Sequence, residues 1–307
     1  MRAVILLWGL RGDDPLDDVA GELRRRREPH VWIDQRDALA TRVHLDAGGR
    51  SGWVDARSAS FALERVTSLY IRSYDAHQLA AIRDGGEAAR AHVQAIDASL
   101  WCFADVAPIL VLNRPSAMSS NNSKPFQAQL IRRHFRGPET VITTDRGAAL
   151  AFWERHGTVI YKSVSGQRSI VMRLSPADLD RLEDVRWCPT QLQEYVDGTD
   201  YRVHVVGDEV FATEVVSGAD DYRYATRQGG ECELRACELP ADIVDRSLAL
   251  SRALDLPLAG IDLRRTPYGE WYCFEVNPSP CFTYYERHTA QPMTAAVAAL
   301  LAGGGPH

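Results

Sequence analysis

The first third of the chain alternates short apolar runs with stretches whose apolar positions recur every three or four residues. Residues 3–7, 31–34, 68–72 and 109–112 read as strands, and 16–27 and 75–98 as helices, the second interrupted near Gly85 and Gly86. Apolar strands separated by amphipathic helices are what a parallel sheet with crossover connections requires. The Ser- and Asn-rich segment 114–123 then marks a boundary.

Beyond it, 124–134 suits a helix, 140–143 a strand and 146–156 a second helix. The β-branched runs 158–162 and 169–174 form a hairpin around a small-residue loop, and 176–184 is a short helix. From Thr190 strands dominate: 192–196, 201–206, 210–216, 259–264 and 270–276, with helices over 241–254 and 293–301. The pattern divides the chain into an α/β unit over 1–113, a central unit over 114–189 and an α+β unit over 190–307.

Composition narrows the possibilities. A chain of 307 residues with 35 Lys+Arg against 41 Asp+Glu has no basic excess to draw nucleic acid or an anionic membrane. No apolar stretch approaches the roughly 18 residues of a membrane-spanning helix. The opening apolar run is followed by Arg11, Gly12, Asp13 and Asp14 instead of a small-residue cleavage site, so it reads as a buried first strand. Six cysteines without a C-x-x-C pair point to reduced thiols and a cytoplasmic protein. Trp8, Trp32, Trp53 and Trp101 suit a core or an interface, with the core as default.

The densest chemistry lies near the C-terminus. Asp262 sits in one strand and Glu275 and Asn277 in the next, across a Thr-Pro-Tyr-Gly turn. Alternation puts Glu275 and Asn277 on one face, and two carboxylates with an amide oxygen form a hard, all-oxygen set suited to magnesium. An acidic hairpin on a solvated face would explain Glu270 but explains Asn277-Pro278 poorly. Lys162 interrupts an apolar strand, where a polyphosphate would be a fitting counter-charge, and Lys124 opens a helix; each alone also suits a surface lysine. Between them the loop 163–169, with Ser163 and Gly166, could fold its N–H groups over phosphates, although it lacks a Walker pattern. Asp200, Arg202 and His204 share a strand face, where a plain salt bridge is the simple alternative. Arg223 and Arg227 lie in a polar stretch where their forks could grip an anion.

The order Lys124, Lys162 before a glycine-containing loop, Gln-Glu-Tyr-Val, Gly-x-Asp-x-Arg, Gly-Ile-Asp and Phe-Glu-Val-Asn-Pro resembles the ATP-grasp ligases from about Asn113 to Leu301. Within them the chain is similar to the ribosomal-protein glutamate ligases and to the ligases that form esters and amides in ribosomal peptides. The resemblance implies an ATP-grasp fold of the α/β (α+β) class: a parallel-sheet domain, then two subdomains that clasp ATP. It implies that Lys124, Lys162, Ser163 and Gly166 contact phosphates and that Gln193, Glu194, Tyr195 and Val196 hold adenine and ribose, with Asp200 nearby. Asp262, Glu275 and Asn277 would bind two magnesium ions, with manganese as a substitute. Arg202 and Arg227 would stabilise the transferring phosphoryl group, and Arg72 and Arg223 would meet the substrate. Cys281 stands where the family often has glycine, and Tyr284-Tyr285-Glu286 crowds the same end, which bears on acceptor recognition.

The implied activity is ATP-dependent joining of a carboxylate to an amine through an acyl phosphate, on an amino acid, peptide or other small carboxylate. The alternative is a tailoring enzyme or macrocyclase that forms side-chain esters or amides on a precursor peptide. A nucleotide-binding regulator without catalysis would be expected to lack a metal ligand, and all three stand. The resemblance leaves room for a homo-oligomer.

Overall fold

A computed structural model describes residues 3–163, 172–217 and 232–304. The chain begins with β1 (Val4–Gly9), α1 (Asp14–Arg25) and β2 (His30–Asp34), followed by a meander of β3 (Arg42–Leu45), β4 (Gly52–Ala56) and β5 (Ala59–Ala62). Then come β6 (Val66–Arg72), α2 (Ala80–Asp84), α3 (Gly86–Val106) and β7 (Leu110–Leu112). Four of these strands form a parallel sheet in the order β2-β1-β6-β7. Successive residues of β1 face opposite ways: Ile5 and Leu7 join the α1 side of the core, while Leu6 and Trp8 pack with Ile96, Leu100 and Phe103 of α3. Burial on both faces accounts for the uninterrupted apolar runs. Trp8 and Trp32 are core residues, whereas Trp53 and Trp101 are exposed.

α1 starts sharply because the Asp13 side chain accepts from Leu16 N and Pro15 occupies the first turn, and it ends on Arg24 and Arg25. The Ser- and Asn-rich segment expected to mark a boundary is folded into α4 (Pro115–Met118) and a 3-10 turn (Ser119–Asn122), closed by bonds such as Ser119 Oγ to Ser116 O, 2.5 Å. A serine hydroxyl bonds within the turn, which composition does not distinguish from a boundary segment.

Next follow α5 (Lys124–Ile131), β8 (Thr140–Thr143), α6 (Arg146–His156), β9 (Val159–Ser163), β10 (Met172–Arg173), a 3-10 segment (Pro176–Trp187) and β11 (Thr190–Glu194). They give an antiparallel sheet, β10-β9-β11-β8. The boundary expected at 189 falls just before β11, which pairs with both β8 and β9. The last sheet, β14-β13-β12-β15-β16, is antiparallel and is built from β12 (Thr199–Val206), β13 (Glu209–Ser217), β14 (Cys232–Cys237), β15 (Leu258–Arg265) and β16 (Trp271–Asn277). α7 (Ala241–Ala253) covers its apolar face, where Val203, Val205, Ile261, Leu263 and Val276 meet Ile243 and Leu250. α8 (Phe282–Thr289) and α9 (Met293–Gly303) complete the chain. Met293, Val297 and Leu301 of α9 share one core with Leu16 and Leu23 of α1, Tyr70 of β6 and Val206 and Leu258 of the last sheet. No described helix is long and apolar enough to cross a membrane.

Two buried polar residues test this packing. Asn113, just after β7, donates through Nδ2 to Leu258 O (2.6 Å) and Pro278 O (2.5 Å) and accepts from Leu258 N (3.1 Å). Asn113→Ala would strand these backbone groups and is expected to destabilise the fold by about 3 kcal/mol in urea unfolding. Asp97 on α3 is held up at about 6, chiefly by burial. A raised carboxyl supports the fold below its unfolded value near 3.8 and loses that support as pH climbs through about 6. Asp97→Asn is therefore expected to raise the melting temperature at pH 8 and leave it nearly unchanged at pH 4.

Candidate active site

The polar face of the last sheet carries a charged ladder set by strand register. Arg202 on β12 lies opposite Asp262 on β15, which lies opposite Glu275 on β16; the next row is His204, Gly260 and Asn277. The register shifts after Asp262, leaving Phe274 as an extra residue between Cys273 and Glu275. That bulge lets Phe274 line a cavity together with the buried Cys273, whose thiol is pushed up by burial.

Each carboxylate of the ladder meets a cation. Arg202 Nη1 donates to Asp262 Oδ1 at 2.6 Å, and Lys124 Nζ donates to Glu275 Oε1 and, at 3.3 Å, to Asn121 Oδ1. Lys124 reaches Glu275 because α5 is fastened to β16. Gln127, one turn on, donates to Val276 O (2.8 Å) and accepts from Val276 N (3.0 Å), as a neighbouring strand would. Arg202 is buried, with the Tyr285 ring 5.8 Å from its Cζ. A Cβ on Gly260 would overlap the Arg202 guanidinium, so only glycine leaves room for it. His204 beneath is fully buried, and burial followed by the Arg202 charge drives its pKa well down, so the ring is neutral.

Between this face and the central sheet lies a cavity of about 310 Å³. The central sheet contributes a row of Ile142, Gln191 and Lys162, with Thr140 and Gln193 in the next row. The opposite faces of the same strands, Val141, Val159, Tyr161 and Leu192, pack with Phe152 and Leu182. Lys162 is thus turned into the cavity by strand alternation. Gln193 donates to Thr140 Oγ1 at 3.2 Å, while Gln191 Oε1 is buried with no partner among the described residues. An apolar slot walled by Ile131, Pro138, Ile142 and Phe274, with an orphaned acceptor on one wall and two lysines, fits a purine nucleotide.

Other expected residues face elsewhere. Glu194 accepts from Glu139 N at 2.9 Å and lies 3.6 Å from His156 Nδ1. Tyr195 has the Arg173 Cζ 4.1 Å over its ring, and Val196 O accepts from Arg264 Nη1 at 2.7 Å. Asp200 is gripped by Arg264 through two bonds of 2.7 and 2.8 Å. Arg72 pairs with Asp13 (2.6 and 3.1 Å) and donates to Ser279 Oγ (2.9 Å) and Pro280 O (3.2 Å), tying β6 to the loop after Asn277. Gly166, Arg223, Arg227 and the Ser163 side chain lie outside the described residues. Sequence alone gives no role to Asn113, Gln127, Gln191 or Gly260, and of these only Gly260, in the Gly-Ile-Asp motif two residues before Asp262 on the same strand face, has a readable cue.

Among the described residues no three His, Cys, Asp or Glu side chains form a metal cluster. The set that fits magnesium is Asp262, Glu275 and the Asn277 amide, oxygen donors only, on adjacent strands. Asn277 Oδ1 also accepts from Ser279 N at 2.8 Å, which fixes the amide's orientation.

Residues 121–301 match the RimK-like ATP-grasp domain. The chain belongs to the RimK-like ATP-grasp family. Its fold is that of the ATP-grasp ligases: it superposes on PsnB, an ATP-grasp ligase complexed with a minimal precursor, with a TM-score of 0.82, 24% identity and 99% of both chains covered. A second PsnB structure, with minimal precursor, Mg and ADP, gives 0.79, 26% identity and 97% of both chains. A "Probable alpha-L-glutamate ligase" of Histophilus somni (strain 2336) is 29% identical over 135 residues, 43% of this chain and 41% of that protein. The tetrahydromethanopterin:alpha-L-glutamate ligase of Methanocaldococcus jannaschii is 24% identical over 187 residues, 56% of this chain and 63% of that protein. The chain thus spans less than two thirds of the length of these curated relatives.

Proposed function

We propose that this RimK-like ATP-grasp protein is an ATP-dependent carboxylate–amine ligase that forms a peptide or isopeptide bond and releases ADP and phosphate. The observation that carries the reading is the row Arg202, Asp262 and Glu275, with Lys124 over it at one end of the nucleotide-sized cavity. Asp262, Glu275 and Asn277 would hold magnesium, which when bound offsets the polyphosphate charge and polarises the transferring group.

The chain's own residues do the rest. The apolar slot with Gln191 holds the base, and Lys162 and Lys124 face the phosphates, Lys124 exchanging Glu275 for a phosphate oxygen. Arg202, held flat over Gly260 and against Asp262, sets its positive charge beside the group in transfer. A carboxylate oxygen attacks the γ-phosphorus and ADP leaves. The amine then attacks the acyl carbon, phosphate departs with the C–O electron pair, and the amine proton passes to solvent. The protein supplies alignment and charge, and no side-chain nucleophile is required.

A second reading, tailoring of a ribosomally made precursor peptide, is supported by the extent of the PsnB match, 97% of both chains at 26% identity, against 41% of the Histophilus protein. Both readings share one test. Purified protein with MgATP, pooled amino acids and acidic peptides should release ADP and phosphate only when a carboxylate and an amine or hydroxyl acceptor are present. AMP and pyrophosphate instead would rule out the acyl-phosphate route.

A further inference from the structure

A second cavity, of about 270 Å³, lies at the carboxyl ends of β1, β2 and β6 and is lined by Arg11, Arg36, Arg72, Tyr74 and Ser279 among others. In the sheet order β2-β1-β6-β7 the chain moves from β1 outward to β2 on one side and to β6 on the other. The crevice beyond the ends of β1 and β6 is therefore the topological switch point, the place where open parallel sheets receive ligands.

The three arginines are not equivalent. Arg72 is 8% exposed and committed to Asp13, Ser279 and Pro280. Arg11 and Arg36 are 53% and 55% exposed and share one carboxylate, Asp34, at 3.8 and 3.7 Å, so one positive charge is left over. Both are braced: Arg11 lies 4.7 Å over the Trp32 ring, and Arg36 Nη1 donates to Arg11 O at 2.6 Å. The rim is fixed as well, since buried Gln35 clamps the Tyr74 backbone with bonds of 3.0 and 2.7 Å. The acid that lines the cavity, Asp13, is taken by Arg72 and the start of α1.

We infer that this cavity is a receptor for a substrate carboxylate, with Arg11 and Arg36 as its specificity-determining contacts. The inference rests on the ligase reading and deepens it. None of Lys124, Lys162, Arg202, Asp262 or Glu275 lines the cavity, so the carboxylate seated there is held as a handle and is not the one phosphorylated. Ser279, which roofs it, is bonded through its N–H to Asn277, so the handle sits beside the reacting end of the site. The ligand is an amino acid carrying its α-carboxylate or a peptide carrying an acidic side chain.

The test is ligand-observed NMR on the full chain with three probes: N-acetyl-glutamate amide for a peptide side chain, glutamine for an α-carboxylate, and N-acetyl-glutamine amide as the neutral control. At least one carboxylate probe is expected to bind, and the neutral control not. The double substitution Arg11→Gln, Arg36→Gln should weaken that binding about tenfold or more while leaving MgADP affinity and melting temperature unchanged. Binding of the neutral control as well as the acids, no binding of either acid, or unchanged binding in the double variant would each overturn the inference. Loss of MgADP binding by the unmodified chain would instead defeat the ligase reading, whatever the carboxylate probes do.

Discussion

Glu275→Gln is expected to stop ligation, lowering ADP release by roughly a thousandfold, about 4 kcal/mol of transition-state stabilisation. The substitution keeps the size of the side chain and removes one of the two carboxylates that face each other across β15 and β16. Its cost to folding should be small: the Lys124–Glu275 pair is a fifth to a quarter exposed, at 19% and 26%, and α5 stays fastened through Gln127. Product release measured beside a thermal melt separates the two effects. A variant that melts normally yet turns over at the native rate would remove Glu275 from the site's chemistry.

Gly260→Ala should cut turnover about a hundredfold, about 2.7 kcal/mol, without unfolding the protein. The β15 backbone there accepts alanine; the obstacle is the guanidinium of Arg202, which lies where the new methyl group would go. A double-mutant cycle isolates this cause. Arg202→Lys is itself damaging, because a lysine lacks the fork, but the shorter head should clear the methyl group. Gly260→Ala should then add little in the Arg202→Lys background. An equal penalty in both backgrounds would shift the blame to Pro280, whose Cβ would stand 2.8 Å from the added carbon.

What could be read from the sequence was local. The β15–β16 hairpin was legible because Asp262, Glu275 and Asn277 alternate with Ile261, Leu263 and Val276, which one-sided burial forces. Lys162 stood out as a charge within an apolar strand, and the structure turns it into the cavity. The meander β3–β5 was missed because its strands are only four or five residues long and leave most side chains partly exposed, so that even the alternation of Arg42–Leu45 is too short to stand out. β14, an edge strand beginning Cys232-Glu-Leu-Arg, and α8, with aromatic and β-branched residues at its start, contradicted their local propensities. Relations across distance had no trace in the order of residues. Lys124 meets Glu275 over 151 positions, and Asp200 is held by Arg264 over 64. The sharing of Asp34 by Arg11 and Arg36 follows only once β1 and β2 lie side by side.

The placement of α9 bears on how such a protein can acquire new substrates. This helix completes the core beneath the first sheet and beneath the final one, and Ser68 Oγ on β6 even donates to its Leu301 carbonyl at 2.7 Å. The amino-terminal unit therefore cannot be exchanged as a module, because its hydrophobic interior is finished by a helix that follows the final sheet. Recombination that grafts a foreign front half would open that interior. Divergence in this architecture is left to point changes at the crevice rim and in the segments bordering the cleft, where side chains can vary while the shared interior stays closed.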